Sequence, residues 1–331
     1  MRLFKIVALL LSLALFPVPA SAQEDSPANP EGEAYWQKSI AAYEAADYQG
    51  ALNLARQGCD VGFYRACFGA GRLFVGSELD YQDETLALPY FREACKGNIV
   101  EACTWMGSTY WLGKKVANND KLARLYYRKA CLLGDEKDAC GYAAFFQREG
   151  KGDEPDLPGA RVNFGKSCAA GSYLSCTSYA IMVENGEGGD AKPELARSVY
   201  TEVCEKAHLD DLPQQSCLNL ARMALAGEGG PVDTEMVLMG YQSACGWDDG
   251  EGCELFGNWI TRPEVIAKNK GLYSDWRSDL NYECTQDGTA EACTAVAKLY
   301  ELGLGGDKDA ATADFTYKIA CGMGDPKACK D

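Results

Sequence analysis

The sixteen cysteines place the strongest constraint on the fold of this chain, because they fall into local pairs at a nearly constant step. The eight pairs are Cys59 with Cys67, Cys95 with Cys103, Cys131 with Cys140, Cys168 with Cys176, Cys204 with Cys217, Cys245 with Cys253, Cys284 with Cys293, and Cys321 with Cys329. The first cysteines of successive pairs are 36, 36, 37, 36, 41, 39 and 37 residues apart. A period of this length is typical of proteins that stack one supersecondary unit after another.

Other residue types recur at the same step and indicate two helices in each unit. The residue four positions before the first cysteine is aromatic in six units, so ring and sulfur share one helix face. These six residues are Phe91, Tyr127, Phe164, Tyr200, Tyr241 and Tyr317. Five Asp or Asn residues are placed to cap the second helix, at Asp83, Asn119, Asp156, Asp233 and Asp309.

Glycines mark the ends of both helices. They follow the first cysteine at Gly62, Gly97, Gly134, Gly171 and Gly324, and they end the preceding helix at Gly113, Gly150, Gly186, Gly227 and Gly303. We therefore predict that each unit is a helix A, a short glycine-rich turn, and a helix B that ends on the first cysteine. The second cysteine then lies in helix A of the next unit, and no alternating strand pattern competes with this interpretation.

Three uses of the cysteine pairs were weighed. Zinc sites need ligands about two to four residues apart, whereas most of these pairs are separated by seven residues. A redox Cys-x-x-Cys motif does not occur in the chain. Structural disulfides fit best, because the count is even and the two cysteines of a pair would face each other across one turn between helices.

The first 22 residues have the layout of a secretory signal peptide. Arg2 and Lys5 precede an apolar stretch, and the small residues Ala20, Ser21 and Ala22 follow it. Cleavage near Ala22 would leave a leader over residues 23–34, which we expect to be disordered, and a repeat region over residues 35–331. This export signal predicts a periplasmic or secreted protein without a membrane span.

The charge of the chain narrows the classes of partner. The mature sequence would hold 30 basic and 48 acidic side chains, a net charge of −18. Nucleic acids and anionic membranes need a cationic surface, so neither is expected as the main partner.

At residues 102–131 the sequence resembles the Sel-like repeat family, a branch of the tetratricopeptide superfamily. Ala-Cys-Thr-Trp-Met-Gly-Ser-Thr-Tyr-Trp-Leu-Gly begins at Ala102, and Asn-Asp-Lys-Leu-Ala-Arg-Leu-Tyr-Tyr-Arg-Lys-Ala-Cys begins at Asn119. The pattern recurs with losses at 292–321. The paired cysteines are similar to those of secreted, cysteine-rich members, some of which are described as β-lactamase-like. The resemblance implies an all-α, right-handed superhelix of about eight disulfide-stapled helix pairs that acts as an interaction scaffold.

In the tetratricopeptide superfamily helix A lines the concave face, and the resemblance implies the same here. Residues one and five positions after the second cysteine, and two residues one turn further, would then point into a groove. The candidate binding residues are Phe68, Arg72, Ser108, Trp111, Phe145, Arg148, Arg222, Asn258 and Lys298. Because Arg72, Arg148, Arg222 and Lys298 are cationic, we expect a carboxylate-bearing protein or extended peptide as the partner of a monomeric scaffold.

The alternative function is a weak β-lactam-binding or β-lactam-hydrolysing enzyme, implied by the resemblance alone. The chain lacks Ser-x-x-Lys and Lys-Thr-Gly, the motifs of the serine β-lactamases. One histidine, His208, is too few for a multi-histidine metal site, and no metal, cofactor or catalytic residue is predicted. The adjacent pairs Asp210 with Asp211 and Asp248 with Asp249, and the recurring Gly-x-Gly pairs, are interpreted as loop and turn residues.

Overall fold

The computed structural model describes residues 29–76, 83–114, 116–206, 214–246, 250–286 and 288–329. Within these ranges the chain is helical and contains no β-strand. The α-helices are α1 Pro30–Glu44, α2 Tyr48–Asp60, α3 Tyr64–Val75, α4 Glu84–Lys96, α5 Val100–Leu112, α6 Asp120–Leu132, α7 Ala139–Arg148, α8 Leu157–Ala169, α9 Tyr173–Asn185, α10 Pro193–Lys206, α11 Gln214–Ala226, α12 Thr234–Cys245, α13 Gly250–Ile260, α14 Pro263–Lys268, α15 Tyr273–Thr285, α16 Ala290–Leu302 and α17 Ala310–Gly322. A short 3-10 helix, Lys270–Leu272, precedes α15.

The predicted all-α fold of disulfide-stapled helix pairs is confirmed. Helix A of the successive repeats is α1, α3, α5, α7, α9, α11, α13 and α16, and helix B is α2, α4, α6, α8, α10, α12, α15 and α17. All sixteen cysteines form disulfides with the nearest cysteine along the chain, as predicted. The bridges join Cys59 to Cys67, Cys95 to Cys103, Cys131 to Cys140, Cys168 to Cys176, Cys204 to Cys217, Cys245 to Cys253, Cys284 to Cys293, and Cys321 to Cys329.

The predicted place of the second cysteine in helix A of the next repeat holds for seven of the eight bridges. These seven residues lie on α3, α5, α7, α9, α11, α13 and α16, and they are Cys67, Cys103, Cys140, Cys176, Cys217, Cys253 and Cys293. The exception is Cys329, which lies seven residues beyond the end of α17 and outside any helix. Its bridge to Cys321 therefore ties the segment after α17 back onto that helix.

The sequence signals for helix ends are almost all used as predicted. The five predicted caps accept hydrogen bonds from the first turns of α4, α6, α8, α12 and α17. Gly97 also ends its helix, α4, but its φ is −79°, and the next residue, Asn98, takes the left-handed conformation with a φ of 62°. The reason for a glycine at 97 is steric, since a Cβ there would lie 2.0 Å from Cγ of Tyr64.

The first helix begins five residues before residue 35, where the repeat region was predicted to start. Helix α1 begins at Pro30, which occupies the first helical position, and the Asn29 side chain accepts a hydrogen bond from the Gly32 amide. Proline at this position and acidic residues in the first turn both favour a helix start. The predicted signal peptide, 1–22, and residues 23–28 of the predicted leader lie outside the described residues.

The chain divides into two compact units, Met1–Pro155 and Asp156–Asp331. The core of the first unit contains the fully buried rings of Phe91 and Tyr127, packed among alanines and disulfides. The core of the second unit contains Tyr200, Tyr273 and Phe256, buried to a similar degree. Small residues at the helix contacts let the large rings fill the space between neighbouring repeats.

The seventh repeat departs from the pattern. Helix α14 and the 3-10 helix are inserted between its helix A, α13, and its helix B, α15. Eight residues before the first cysteine, six repeats have a buried alanine and the sixth has Val237, whereas the seventh has Trp276. The Trp276 indole lies between α13 and α15, with its ring centroid 5.8 Å from that of Phe256. An indole at this position holds the two helices further apart than an alanine would.

Candidate functional site

The A helices of the first unit present a cluster of aromatic rings at the surface. The Trp111 ring on α5 has its centroid 5.4 Å from Tyr142 and 5.9 Å from Phe145, both on α7. Trp111 and Phe145 are half-buried against the core, and Tyr142 is 38% exposed. We call Trp111, Tyr142 and Phe145 the aromatic cluster. Half-exposed rings held by a rigid core can bind apolar side chains with little loss of conformational entropy.

Cationic side chains accompany the rings of this unit. The Lys151 ammonium lies 5.6 Å from the centroid of Phe145, and the Arg72 guanidinium lies 6.0 Å from that of Phe68. Helices α3, α5 and α7 together carry three cationic residues, Arg65, Arg72 and Arg148, and one acidic residue. The cationic stretch begins at α3, because α1 is itself acidic.

The A helices of the second unit have the opposite charge. Helices α9, α11, α13 and α16 carry five carboxylates, Glu184, Glu251, Glu254, Glu291 and Glu301, and two cations. Both cations were predicted groove residues, Arg222 and Lys298, and both have partners inside the unit.

Arg222 lies between two carboxylates. Its guanidinium forms an ion pair with Glu184 and another with Glu228, the second at 2.7 Å. The Lys298 ammonium donates to the side-chain oxygen of Asn258 at 2.8 Å. The charge of Arg222 is therefore neutralised by its carboxylate partners, and Lys298 is outnumbered by the acidic residues of these helices. Among the described A helices, the stretch that is cationic overall is that of the first unit from α3 to α7.

Ser108, another predicted groove residue, takes part in the packing of α5 against α6. Its hydroxyl lies 2.9 Å from the Tyr127 hydroxyl and hydrogen-bonds with it. Burial raises the pKa of Tyr127 to about 12, against the opposing effect of this hydrogen bond. Ser108 thus positions a core tyrosine, and this bond occupies its hydroxyl.

The structure groups the predicted residues by unit. Phe68, Arg72, Ser108, Trp111, Phe145 and Arg148 belong to the first unit, and Arg222, Asn258 and Lys298 belong to the second. Contacts bring together Trp111 with Phe145, Arg72 with Phe68, and Asn258 with Lys298.

Sequence reasoning missed Tyr142, Lys151 and Glu184. The position eight residues after the second cysteine was counted only for Trp111 and Arg148. Counted in the other repeats, it adds five residues, Val75, Glu184, Leu225, Thr261 and Glu301. Of these, Glu184 and Glu301 accept hydrogen bonds from Tyr200 and Tyr317. Those two carboxylates were the available signal that the second half of the chain is not cationic.

The described residues offer no support for the β-lactam-hydrolysing alternative. In this part of the chain no group of three His, Cys, Asp or Glu side chains could hold a metal ion. His208 lies outside the described residues, as do the acidic pairs at 210–211 and 248–249. The first glycines of the Gly-x-Gly pairs end α9, α11 and α16 or follow α7, which confirms them as turn residues. No helix in the described ranges is both long and apolar enough to cross a membrane.

Two of the solved structures that are similar to this chain cover most of its length. One is c5321 of uropathogenic Escherichia coli, a protective antigen with an SLR fold, with a TM-score of 0.69 and 19% identity. The match covers 90% of this chain, and this chain spans 62% of that protein. The other is a Sel1 repeat protein of Oxalobacter formigenes, with a TM-score of 0.63 and 19% identity over 98% of this chain and 90% of that protein.

Neither of the two sequence comparisons gives a match: no family model fits the chain, and no curated protein is significantly similar. At 19% identity the two structural likenesses show the fold and not the partner. The recurring helix pairs, the nearest-neighbour disulfides and these likenesses together show that the chain has the Sel1-like repeat fold.

Proposed function

We propose that this protein is an extracytoplasmic scaffold that binds an extended protein segment on the A helices of its first unit. The observation that carries the proposal is the aromatic cluster, with the Lys151 ammonium beside its Phe145 ring. The A helices α3 and α7 of the same unit add Arg65, Arg72 and Arg148. The segment would supply apolar or aromatic side chains to the rings and carboxylates to the cations. The protein acts by holding its partner and not by chemistry on it.

The electrostatics of the chain support this assignment. The whole sequence has a net charge of −16, so an acidic segment is weakly repelled by most of the surface. The cations of α3 and α7 would attract it locally and fix where it binds. Arginine is suited to this task because its guanidinium can form two parallel hydrogen bonds with one carboxylate.

The proposed location rests on the disulfides and on the signal sequence. Eight disulfides persist in an oxidising compartment, and reducing cytosol would open them. Residues 1–22 have the layout of a secretory signal peptide, which would direct the chain to such a compartment.

A phage-displayed library of random peptides, selected on the oxidised protein, tests the proposal. The expected peptides combine Asp or Glu with an aromatic or aliphatic residue, and calorimetric titration of one such peptide should show an affinity that falls with added salt. Peptides without acidic residues, or binding that does not change with salt, would contradict the proposed chemistry.

A pair of charge reversals locates the binding surface. Arg72→Glu on α3 should weaken binding of the selected peptide about fivefold to tenfold, because it removes an attraction and adds a repulsion. Arg128→Glu is the matched control, since Arg128 is an exposed arginine on the B helix α6 of the same unit. If both variants lost the same affinity for the peptide, the effect would be one of overall charge, and the A-helix surface would not be the binding site.

A further inference from the structure

A second potential binding site lies in the irregular seventh repeat. A cleft of about 310 Å³ opens between the C-terminal turn of α12 and helix α15. Its floor consists of Phe256, Leu280 and Cys245, each no more than 3% exposed. Its rim carries Gln242 and Ser243 on one side and Asp279, Tyr282 and Glu283 on the other.

The departures from the repeat explain why the cleft occurs here. Trp276 replaces the usual small residue and stands between α13 and α15, and Leu280 replaces the aromatic residue found in six other repeats. Helix α13 packs instead on α16, where a Cβ on Gly257 would lie 2.5 Å from Cβ of Ala295. A local departure from an otherwise regular pattern is where a functional site is expected.

The charged residues that line the cleft, among those the structure describes, are all acidic. Asp279 and Glu283 line it, and no lysine or arginine is among the described residues that do so. The C-terminal turn of α12 also faces it with the negative end of the helix dipole. Burial, and then the neighbouring Asp275, raise the pKa of Asp279, so a cation bound beside it would stabilise its charged form.

We infer that this cleft binds the side chain of an arginine or lysine from a partner protein. The apolar floor would take the methylene stem, and the Asp279 carboxylate would pair with the cationic end, while Glu283 adds negative charge to the rim. Long basic side chains combine these two properties, and the volume of about 310 Å³ is at the lower end of small-ligand sites. The inference is independent of the proposed function, which concerns the first unit and a partner of opposite charge.

The test uses three short peptides and the oxidised full-length protein labelled with ¹⁵N. Acetyl-Ala-Arg-Ala-amide is compared by NMR titration with its citrulline analogue, which has nearly the same shape without the charge, and with its norleucine analogue, which has an apolar side chain only. Saturable shifts with the arginine peptide, and binding at least about fivefold weaker for the other two, are expected. Equal binding of the citrulline peptide would overturn the role of charge.

Two variants assign the binding to the cleft. Asp279→Asn should weaken binding of the arginine peptide about fivefold, whereas Asp190→Asn, at an exposed position after α9, should leave it unchanged. Ser243→Phe should block the cleft while keeping every carboxylate, so it should abolish the saturable shifts. Wild-type binding by either Asp279→Asn or Ser243→Phe, or no saturable binding by the wild-type protein, would overturn the inference.

Discussion

At the scale of single residues, the second glycine of a Gly-x-Gly turn has a steric role that its backbone angle alone does not explain. At Gly188 φ is 74°, and a Cβ would lie only 2.3 Å from the carbonyl oxygen of Leu157. The backbone of the turn therefore lies directly on the start of α8, the B helix of the preceding repeat. Gly171, in the same unit, has a φ of 88° but no atom within 4 Å of such a Cβ.

These two glycines allow the steric cost to be separated from the cost of the backbone angle. Gly171→Ala should lower the free energy of unfolding by about 1–2 kcal/mol, the cost of placing an alanine in the left-handed region. Gly188→Ala should cost about 2–5 kcal/mol, because the methyl group also displaces a packed backbone. Urea unfolding of both variants measures the difference. Equal costs would mean that the turn moves away from α8 without penalty.

The sequence predicts the contacts of single residues where the interacting groups are close together along the chain. The Asp309 cap could be predicted because the side chain binds amides two and three residues ahead. The pair of Arg222 with Glu184 could not, since the two residues are 38 positions apart and their approach depends on how α9 packs with α11. The same holds for the aromatic contact between Trp111 and Tyr142.

At the scale of helices, a recurring arginine ties helix B to the turn of the next repeat. Seven residues before the first cysteine stand Arg124, Arg161, Arg197 and Arg277, and each guanidinium donates to main-chain carbonyls about 30 residues further on. Arg197 is 6% exposed and donates to the carbonyls of Glu228 and Pro231 at 3.3 and 2.9 Å. The arginine recurs at the period of the cysteines, so its importance could have been predicted from the sequence. The carbonyls that accept its hydrogen bonds could be identified only in the structure.

Replacing Arg197 should loosen the turn between α11 and α12. In Arg197→Met the stem still packs, but the carbonyls of Glu228 and Pro231 lose their donors, at a cost of about 1–3 kcal/mol. Amide hydrogen exchange should therefore become faster over residues 227–233. Arg128→Met, on the exposed face of α6, is the control and should change no protection in the second unit. Unchanged exchange in Arg197→Met would show that the turn is held by its other contacts.

The order of the helices along most of the chain was predictable, because in most repeats a cysteine, glycines and a capping residue mark where the helices begin and end. The seventh repeat was not, although the spacing of 39 residues before Cys284 hinted at an insertion. Whether extra residues form a loop or a helix such as α14, and whether Trp276 separates α13 from α15, depends on packing between neighbours. The contacts of the candidate site could not be predicted for the same reason, because its rings come from two different helices, α5 and α7.

At the scale of the whole molecule, stability should come from many local constraints, because repeats contact chiefly their neighbours in sequence. Three disulfides lie in the first unit and five in the second, and the paired cysteines are 8, 9 or 13 positions apart. Closing a ring of this size stabilises the folded state by about 2–3 kcal/mol in the chain-entropy model. Helix packing, through residues such as Phe91 and Tyr200, remains when the bridges are opened.

Reduction should therefore lower the thermal midpoint without removing the helices at low temperature. Circular dichroism of the oxidised protein is compared with that of protein that has been reduced and alkylated, so that no reductant is present in either melt. The reduced form should keep most of its helical signal at about 10 °C and unfold at a clearly lower temperature over a broader range, because each repeat then loses its staple and opens more independently. An unchanged midpoint would show that the disulfides do not stabilise the fold, and complete loss of helix on reduction would show that packing between neighbouring repeats cannot hold it.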